Sequence, residues 1–328
     1  MMPLVQSLPT GLGAAAVLPA LMLLWLVVAT DRRPEPPGLV WSAFLLGVAA
    51  IFLTGYARAP LVPLVHLAGN VWSAAVARAV FLAAIPEETA KIAVIWLLIT
   101  RLRAVHEPMD GLVYGAAVGL GFAAWENLGF LLNFADAWRD LAIMRNLVTV
   151  PLHGALGMIA GGYLAAARFS GALGGRHHAG RTAAARLIAR AWLIPVALHA
   201  GFDISLLGLR DDMGVGTAGT IALAASGLAI GLGAVALAVR LALRLAAHQH
   251  PMKSGRRVPA EFWRYVWALA LAGAVSGFAG AAIVASAIHR AWLGGSVEPA
   301  PLLAGVVMLA AAAVVFRWSR THLIAKMA

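Results

Sequence analysis

The residues with most chemistry to offer stand in Pro86-Glu87-Glu88-Thr89-Ala90-Lys91, which sets three ionisable side chains inside an apolar run over 74–99. A charge at bilayer depth costs roughly 2.5–3.5 kcal/mol even on the gentler insertion scales, so it persists mainly where it works or is paired. On a helix, Lys91 follows Glu88 by three residues and Glu87 by four, within reach of either carboxylate. One glutamate can thus be neutralised while the other stays available as a base. Of 10 histidines and 14 acids, the others well inside apolar runs are Glu126, His153, His199 and Asp203. His199 and Asp203 are four apart and share a helix face, as do Phe122 and Glu126, the aromatic ring walling the same pocket. Glutamate, histidine, aspartate and lysine in this combination suit general acid–base work, or the binding of a divalent metal without any thiolate.

The elements that must position these groups are membrane helices. The chain has 328 residues, 62% hydrophobic and 12% charged, with mean hydropathy +0.85. That composition describes a polytopic membrane protein and not a soluble core. Apolar runs long enough to span lie at 11–29, 38–56, 74–99, 112–134, 147–167, 191–209, 218–239, 265–288 and 302–316, the last being short. The expected fold is therefore all-α, a transmembrane helical bundle of about nine spans. Most Lys and Arg fall on one side of the alternating loops. The net charge of +11 is then a positive-inside signal and not a nucleic-acid footprint, with the amino terminus out and the carboxyl terminus in. The first run reads as an uncleaved span. There is no cysteine, so disulfides and thiolate chemistry are excluded. Residues 1–70 read as a two-span segment, 71–210 as a four-span core and 211–328 as accessory spans.

The deep charges all fall in spans three to six, and none in spans one, two, seven, eight or nine, a clustering that favours one shared site. Counting rise along each span puts them at heights compatible with one pocket near the midplane or in the outer half. Pro86, Pro151 and Pro195 accompany Glu87, His153 and His199; each removes a helix hydrogen bond and predicts a bent or opened span there. Gly115 with Gly119, Gly157 with Gly161, and Gly227 with Gly231 are spaced for close helix contact. Asn127 reads as a packing hydrogen bond.

Glu87-Glu88-x-x-Lys91, Phe122-x-x-x-Glu126, His153 in a proline-containing span and His199-x-x-x-Asp203, in this order, resemble the PrsW family of intramembrane proteases, distant relatives of the CAAX prenyl endopeptidases and bacteriocin-immunity membrane proteases. The segment Asp31-Arg32-Arg33-Pro34-Glu35-Pro36-Pro37 is similar to that family's early loop, and the likeness covers roughly 19–208, leaving spans seven to nine outside it. Thr149 stands where the family pattern has phenylalanine four before the histidine. The resemblance implies an endopeptidase of the cytoplasmic (inner) membrane acting on membrane-anchored protein substrates, an anti-sigma factor being the family's best-known case.

Peptide hydrolysis needs an activated water and a group to hold the developing oxyanion. Glu87 and Glu88 are the expected catalytic pair, with Lys91 beside them. His153, His199 and Asp203 either hold a divalent metal, zinc above all, or work without metal, the histidines donating to the oxyanion and Asp203 fixing a tautomer. Glu126 suits a ligand, a base partner or helix glue. A structural Glu–Lys bridge would account for one glutamate and leave the second costly. The rival function is a proton-coupled transporter or channel, against which stand the lack of an inverted repeat and of charge in the last three spans.

Overall fold

The computed structural model describes residues 11–247 apart from 32, 34, 103 and 170–180. The expected spans 265–288 and 302–316 lie outside the described residues. Two compact units divide the chain; every contact discussed below lies in the first, within 1–138 and 148–249, and the described part of the second, Arg139–Leu147, is helical.

Among the described residues all regular structure is helical: α1 (Leu12–Thr30), α2 (Pro37–Arg58), α3 (Val62–His66), α4 (Val71–Ala77), α5 (Ile85–Arg101), α6 (Pro108–Asn133), α7 (Trp138–Met144), α8 (Val150–Arg168), α9 (Arg181–Leu207) and α10 (Thr217–Ala247). Among the described residues, six helical runs are long and apolar enough to cross a membrane: Leu12–Thr30, Pro37–His66, Pro108–Asn133, Ala135–Arg168, Thr182–Leu207 and Thr217–Ala246. The run Val71–Arg101 is as long as these. It is not among the six, and it is the one that carries Arg78, Glu87, Glu88 and Lys91.

Helix α6 lies at the centre. Its residues from Met109 to Ala124 are all buried, as expected of a helix apolar on every side, and it packs on α8, α2 and α1. Its approach to α8 is as close as backbone allows. A Cβ built on Gly115 would run into the Gly157 carbonyl, one on Gly119 into the His153 carbonyl, and one on Gly161 into the Gly111 carbonyl. Small residues at four-residue spacing on both helices bring two backbones together where lipid offers no hydrophobic drive. Gly47 and Gly121 do the same for α2 on α6. Gly227 and Gly231 face side chains instead, Ser205 and Val148. Asn127 donates to the Ala16 carbonyl at 3.2 Å, tying α6 to α1.

Two of the three prolines lie beside wide π-helical turns. Arg78–Ala84 precedes α5, where Pro86 is in the first turn, and Arg145–Thr149 precedes α8, where Pro151 is in the first turn. Proline lacks the amide proton, and an i→i+5 turn redistributes the carbonyls it leaves over. Pro195 lies within α9, which runs on as one helix through it.

Candidate active site

Helix α5 is polar on the inside and apolar on the outside. Glu87, Glu88 and Lys91 are 3%, 1% and 1% exposed, whereas Trp96 and Leu97 are 44% and 51% exposed. Such an arrangement suits lipid outside and an interior where charges find partners.

The partners form a chain through four helices. Lys91 Nζ donates to Glu88 Oε1 at 2.5 Å and lies 3.0 Å from His153 Nδ1 on α8. An ammonium only donates, so Nδ1 accepts and the ring proton of His153 sits on Nε2. That nitrogen is 3.2 Å from Glu126 Oε2 on α6. Glu88 Oε1 also accepts from His199 Nδ1 on α9 at 2.6 Å. On its other side, His199 Nε2 faces Asp203 Oδ2 at 3.4 Å and Glu87 Oε2 at 3.9 Å. The imidazoles meet edge to face with centroids 5.1 Å apart. Phe122 walls the cluster, 5.6 Å from the His153 ring and 4.6 Å from Lys91 Nζ, a cation–π contact. The structure thus brings together all seven residues singled out from the sequence: Glu87, Glu88, Lys91, Glu126, His153, His199 and Asp203.

One member of the cluster was not foreseen. Arg58, at the end of α2, places Nη2 on Glu87 Oε1. Span two therefore does contribute a charge to the buried site, contrary to the expectation that only spans three to six would. The guanidinium stem is long enough to reach inward from a helix end, so position along the run misjudges where its charge lies. The only sequence signal was an arginine at the edge of an apolar run, on the face of the membrane with few basic residues. Along their own helices the members stand at different distances from an end: about 20 Å of helix separates Glu88 from Arg101, and about 6 Å separates Asp203 from Leu207.

Glu87, His153 and His199 each offer one ligand atom, all within 4.8 Å of one another, and could hold a metal ion. The expected set had Asp203 in place of Glu87; Asp203 instead borders His199 Nε2. Two observations fit a cation there. Glu87 Oε2 is buried with no hydrogen-bond partner. And with Nδ1–H committed to Glu88, the Nε2 lone pair of His199 faces two carboxylates, an arrangement that calls for a proton or a metal ion between them. A carboxylate behind a histidine is also how metal-ligating imidazoles are commonly oriented.

Three members are partly exposed, Arg58 at 40%, Asp203 at 23% and Glu126 at 16% of their side chains, and the groups between them are shielded.

Residues 35–230 match the sequence model of the PrsW family intramembrane metalloprotease. The match reaches into α10 and takes in span seven as far as residue 230, which corrects the expectation that the likeness stops before it. The chain is 28% identical over 199 residues to Protease PrsW of Bacillus subtilis (strain 168), covering 60% of this chain and 84% of that protein. It is 30% identical over 198 residues to Protease PrsW of Geobacillus kaustophilus (strain HTA426), covering 60% and 80%. A third relative, Protease PrsW of Oceanobacillus iheyensis, is 25% identical over 200 residues, covering 60% and 84%. No solved structure matches. With most of its length inside the matched region and its buried Glu-His-His group in a multi-helix membrane bundle, the chain belongs to the PrsW family of intramembrane metalloproteases.

Proposed function

We propose that this protease hydrolyses a peptide bond of a membrane-anchored protein at the cluster around Glu87, His153 and His199, using zinc. The observation that carries the reading is the buried, unpartnered Glu87 Oε2 facing His199, with His153 near enough to complete a ligand set once one of its nitrogens is released from Lys91 or Glu126. Zinc, when bound, polarises the scissile carbonyl and lowers the pKa of its water to about 7.

The protein's own groups have separate tasks. Glu87 and His199 present ligand atoms. Glu88 holds His199 by Nδ1–H and is neutralised by Lys91, so it acts as an orienting carboxylate while Glu87 keeps an oxygen open. Glu126, hydrogen-bonded to His153 and partly open, is placed to take the proton of the attacking water and return it to the departing amine as the C–N bond breaks. Asp203 borders Nε2 on the opposite side of His199, where its carboxylate would add negative charge beside a bound cation. Phe122 keeps the wall of the pocket apolar, which strengthens electrostatic interactions inside it.

A metal-free reading is favoured by one observation, the Lys91 contact that puts the His153 proton on Nε2. In that case His153 donates to the oxyanion and Glu87 is the base. On the loop-charge reading of the sequence the site sits in the outer half of a bundle of nine spans, with the amino terminus out and the carboxyl terminus in, in the cytoplasmic membrane. An anti-sigma factor is the substrate class best known for the family, and a pocket in the outer half would cut it near its outer membrane boundary.

The deciding experiment is cleavage of a panel of single-span reporters by the purified chain in lipid. Wild type should cut, Glu87→Gln should not, and a zinc chelator should abolish cutting that added zinc restores. Chelator-resistant cutting would decide for the metal-free reading, and cutting by Glu87→Gln would remove Glu87 from the machinery.

A further inference from the structure

Arg58 stands out because its hydrogen bond in the cluster falls on the same carboxylate that leaves an oxygen open. Glu87 is a short-stemmed group on α5 with two oxygens of different fate. Oε1 takes the Arg58 guanidinium, and Oε2 is buried without a hydrogen bond, 3.9 Å from His199 Nε2. Lys91, the nearest cation along Glu87's own helix, is occupied by Glu88 Oε1 and His153 Nδ1. Arg58 comes from a different helix and has a side chain 40% exposed, whereas that of Glu87 is 4% exposed. It therefore reaches from the protein's outside edge to the back of a buried carboxylate. Its Nε is buried without a partner, so the guanidinium is held in place through its Glu87 contact.

We propose that Arg58 is a positioning residue of this protease: by binding Glu87 Oε1 it turns Oε2 toward His199 and His153. The proposal rests on the reading of Glu87, His153 and His199 as the ligand set. Arg58 itself touches neither the ligand nitrogens nor the reacting bond; it acts through Glu87. A planar guanidinium suits this better than an ammonium, because its fork geometry fixes the carboxylate plane as well as its charge. Carboxylates and cations that orient metal ligands from behind are typically worth about 10- to 100-fold in metal affinity or activity.

The test is a double-mutant cycle in the full chain in lipid nanodiscs, with Arg58→Gln, Glu87→Gln and the double variant, and Arg58→Lys as a conservative comparison. Zinc affinity is read by competition with a chromophoric chelator, kcat and KM on a reporter that wild type cuts, and folding by thermal unfolding. Arg58→Gln should weaken zinc about 10- to 100-fold and lower kcat with KM little changed, Arg58→Lys should recover part of both, and Arg58→Gln should add nothing once Glu87 is glutamine. Wild-type zinc affinity and kcat in Arg58→Gln would overturn the proposal, as would equal effects of Arg58→Gln in the presence and absence of the Glu87 carboxylate. A rise in KM alone would also overturn it, assigning Arg58 to substrate contact. If wild type binds no zinc, the ligand reading fails, and the cycle is decided on thermal unfolding: coupling there upholds positioning and additivity rejects it.

Discussion

A single methyl group on α6 should disable the site without touching any ionisable residue. Gly119 packs against the α8 backbone where His153 sits, and a Cβ there would meet the His153 carbonyl oxygen. Ordinary Cβ contacts begin at 3.4 Å, and the built Cβ falls short of that by about 1 Å. The obstacle is backbone, so no rotamer relieves it; α8 must move away or rotate, taking the His153 ring from Lys91 and Glu126. Misplacement of a reacting group by about 1 Å can cost about 10²-fold in rate. Overpacking of a close interface costs about 1–3 kcal/mol. Gly129 lies farther along the same helix with nothing within 4 Å of its built Cβ. There the same substitution should stabilise by up to about 1 kcal/mol through helix propensity. The assay compares Gly119→Ala and Gly129→Ala for reporter kcat and thermal unfolding in lipid. Gly119→Ala should lose about 10²-fold in kcat and unfold at lower temperature, while Gly129→Ala keeps wild-type kcat. Equal kcat in the two variants would refute the claim that the α6–α8 backbone contact sets the position of His153.

Lys91→Met should strip Glu88 of its ammonium and leave a buried carboxylate held by His199 alone, at about 3–5 kcal/mol in stability; calorimetry would show it, and the further change Glu88→Gln should recover stability but not cutting. Glu88→Gln alone should weaken zinc about 10- to 100-fold by loosening the His199 ring, measured by chelator competition. Outside the spans, Glu35 accepts from the Tyr114 hydroxyl, and burial holds its carboxyl above the usual value of 4.5. The native state then keeps a proton that the unfolded chain has released, so stability falls as pH rises from 4.5 through the raised folded value. Glu35→Gln should flatten that slope in thermal unfolding measured against pH, and an unchanged slope would exclude Glu35 as its origin.

The site was legible in the sequence because a membrane makes each buried charge conspicuous. Glu87, Glu88, Lys91, Glu126, His153, His199 and Asp203 interrupt apolar runs, and spacing alone put Lys91 within reach of Glu87 or Glu88 and Asp203 beside His199. What spacing does not give is the pairing between helices. That Lys91 would serve Glu88 while Glu87 went to Arg58 depends on how α2 meets α5, a contact that leaves no period in either sequence. The prolines announced irregular backbone near Glu87 and His153, yet their positions alone could not distinguish a kink from a π turn. The glycine pairs were readable as close contacts on α6 and α8, where both helices carry them in register, and misleading on α10, where only side chains face them.

The π turn at Arg78–Ala84 also sets the angular phase of the helical run that carries the glutamates. A wide turn accommodates one residue more than an α-turn, equivalent to about 100° of rotation about the axis. The stretch before it and the stretch after it are therefore keyed at different angles on one rod, and a lipid-facing stripe at Val76 does not continue straight onto Trp96 and Leu97. Deleting one residue from this turn would restore an unbroken α-helix, keep every ionisable side chain in the sequence, and swing the two halves back into phase. Either the surface half would turn its apolar stripe away from lipid, or the other half would carry Glu87 and Glu88 out of the pocket.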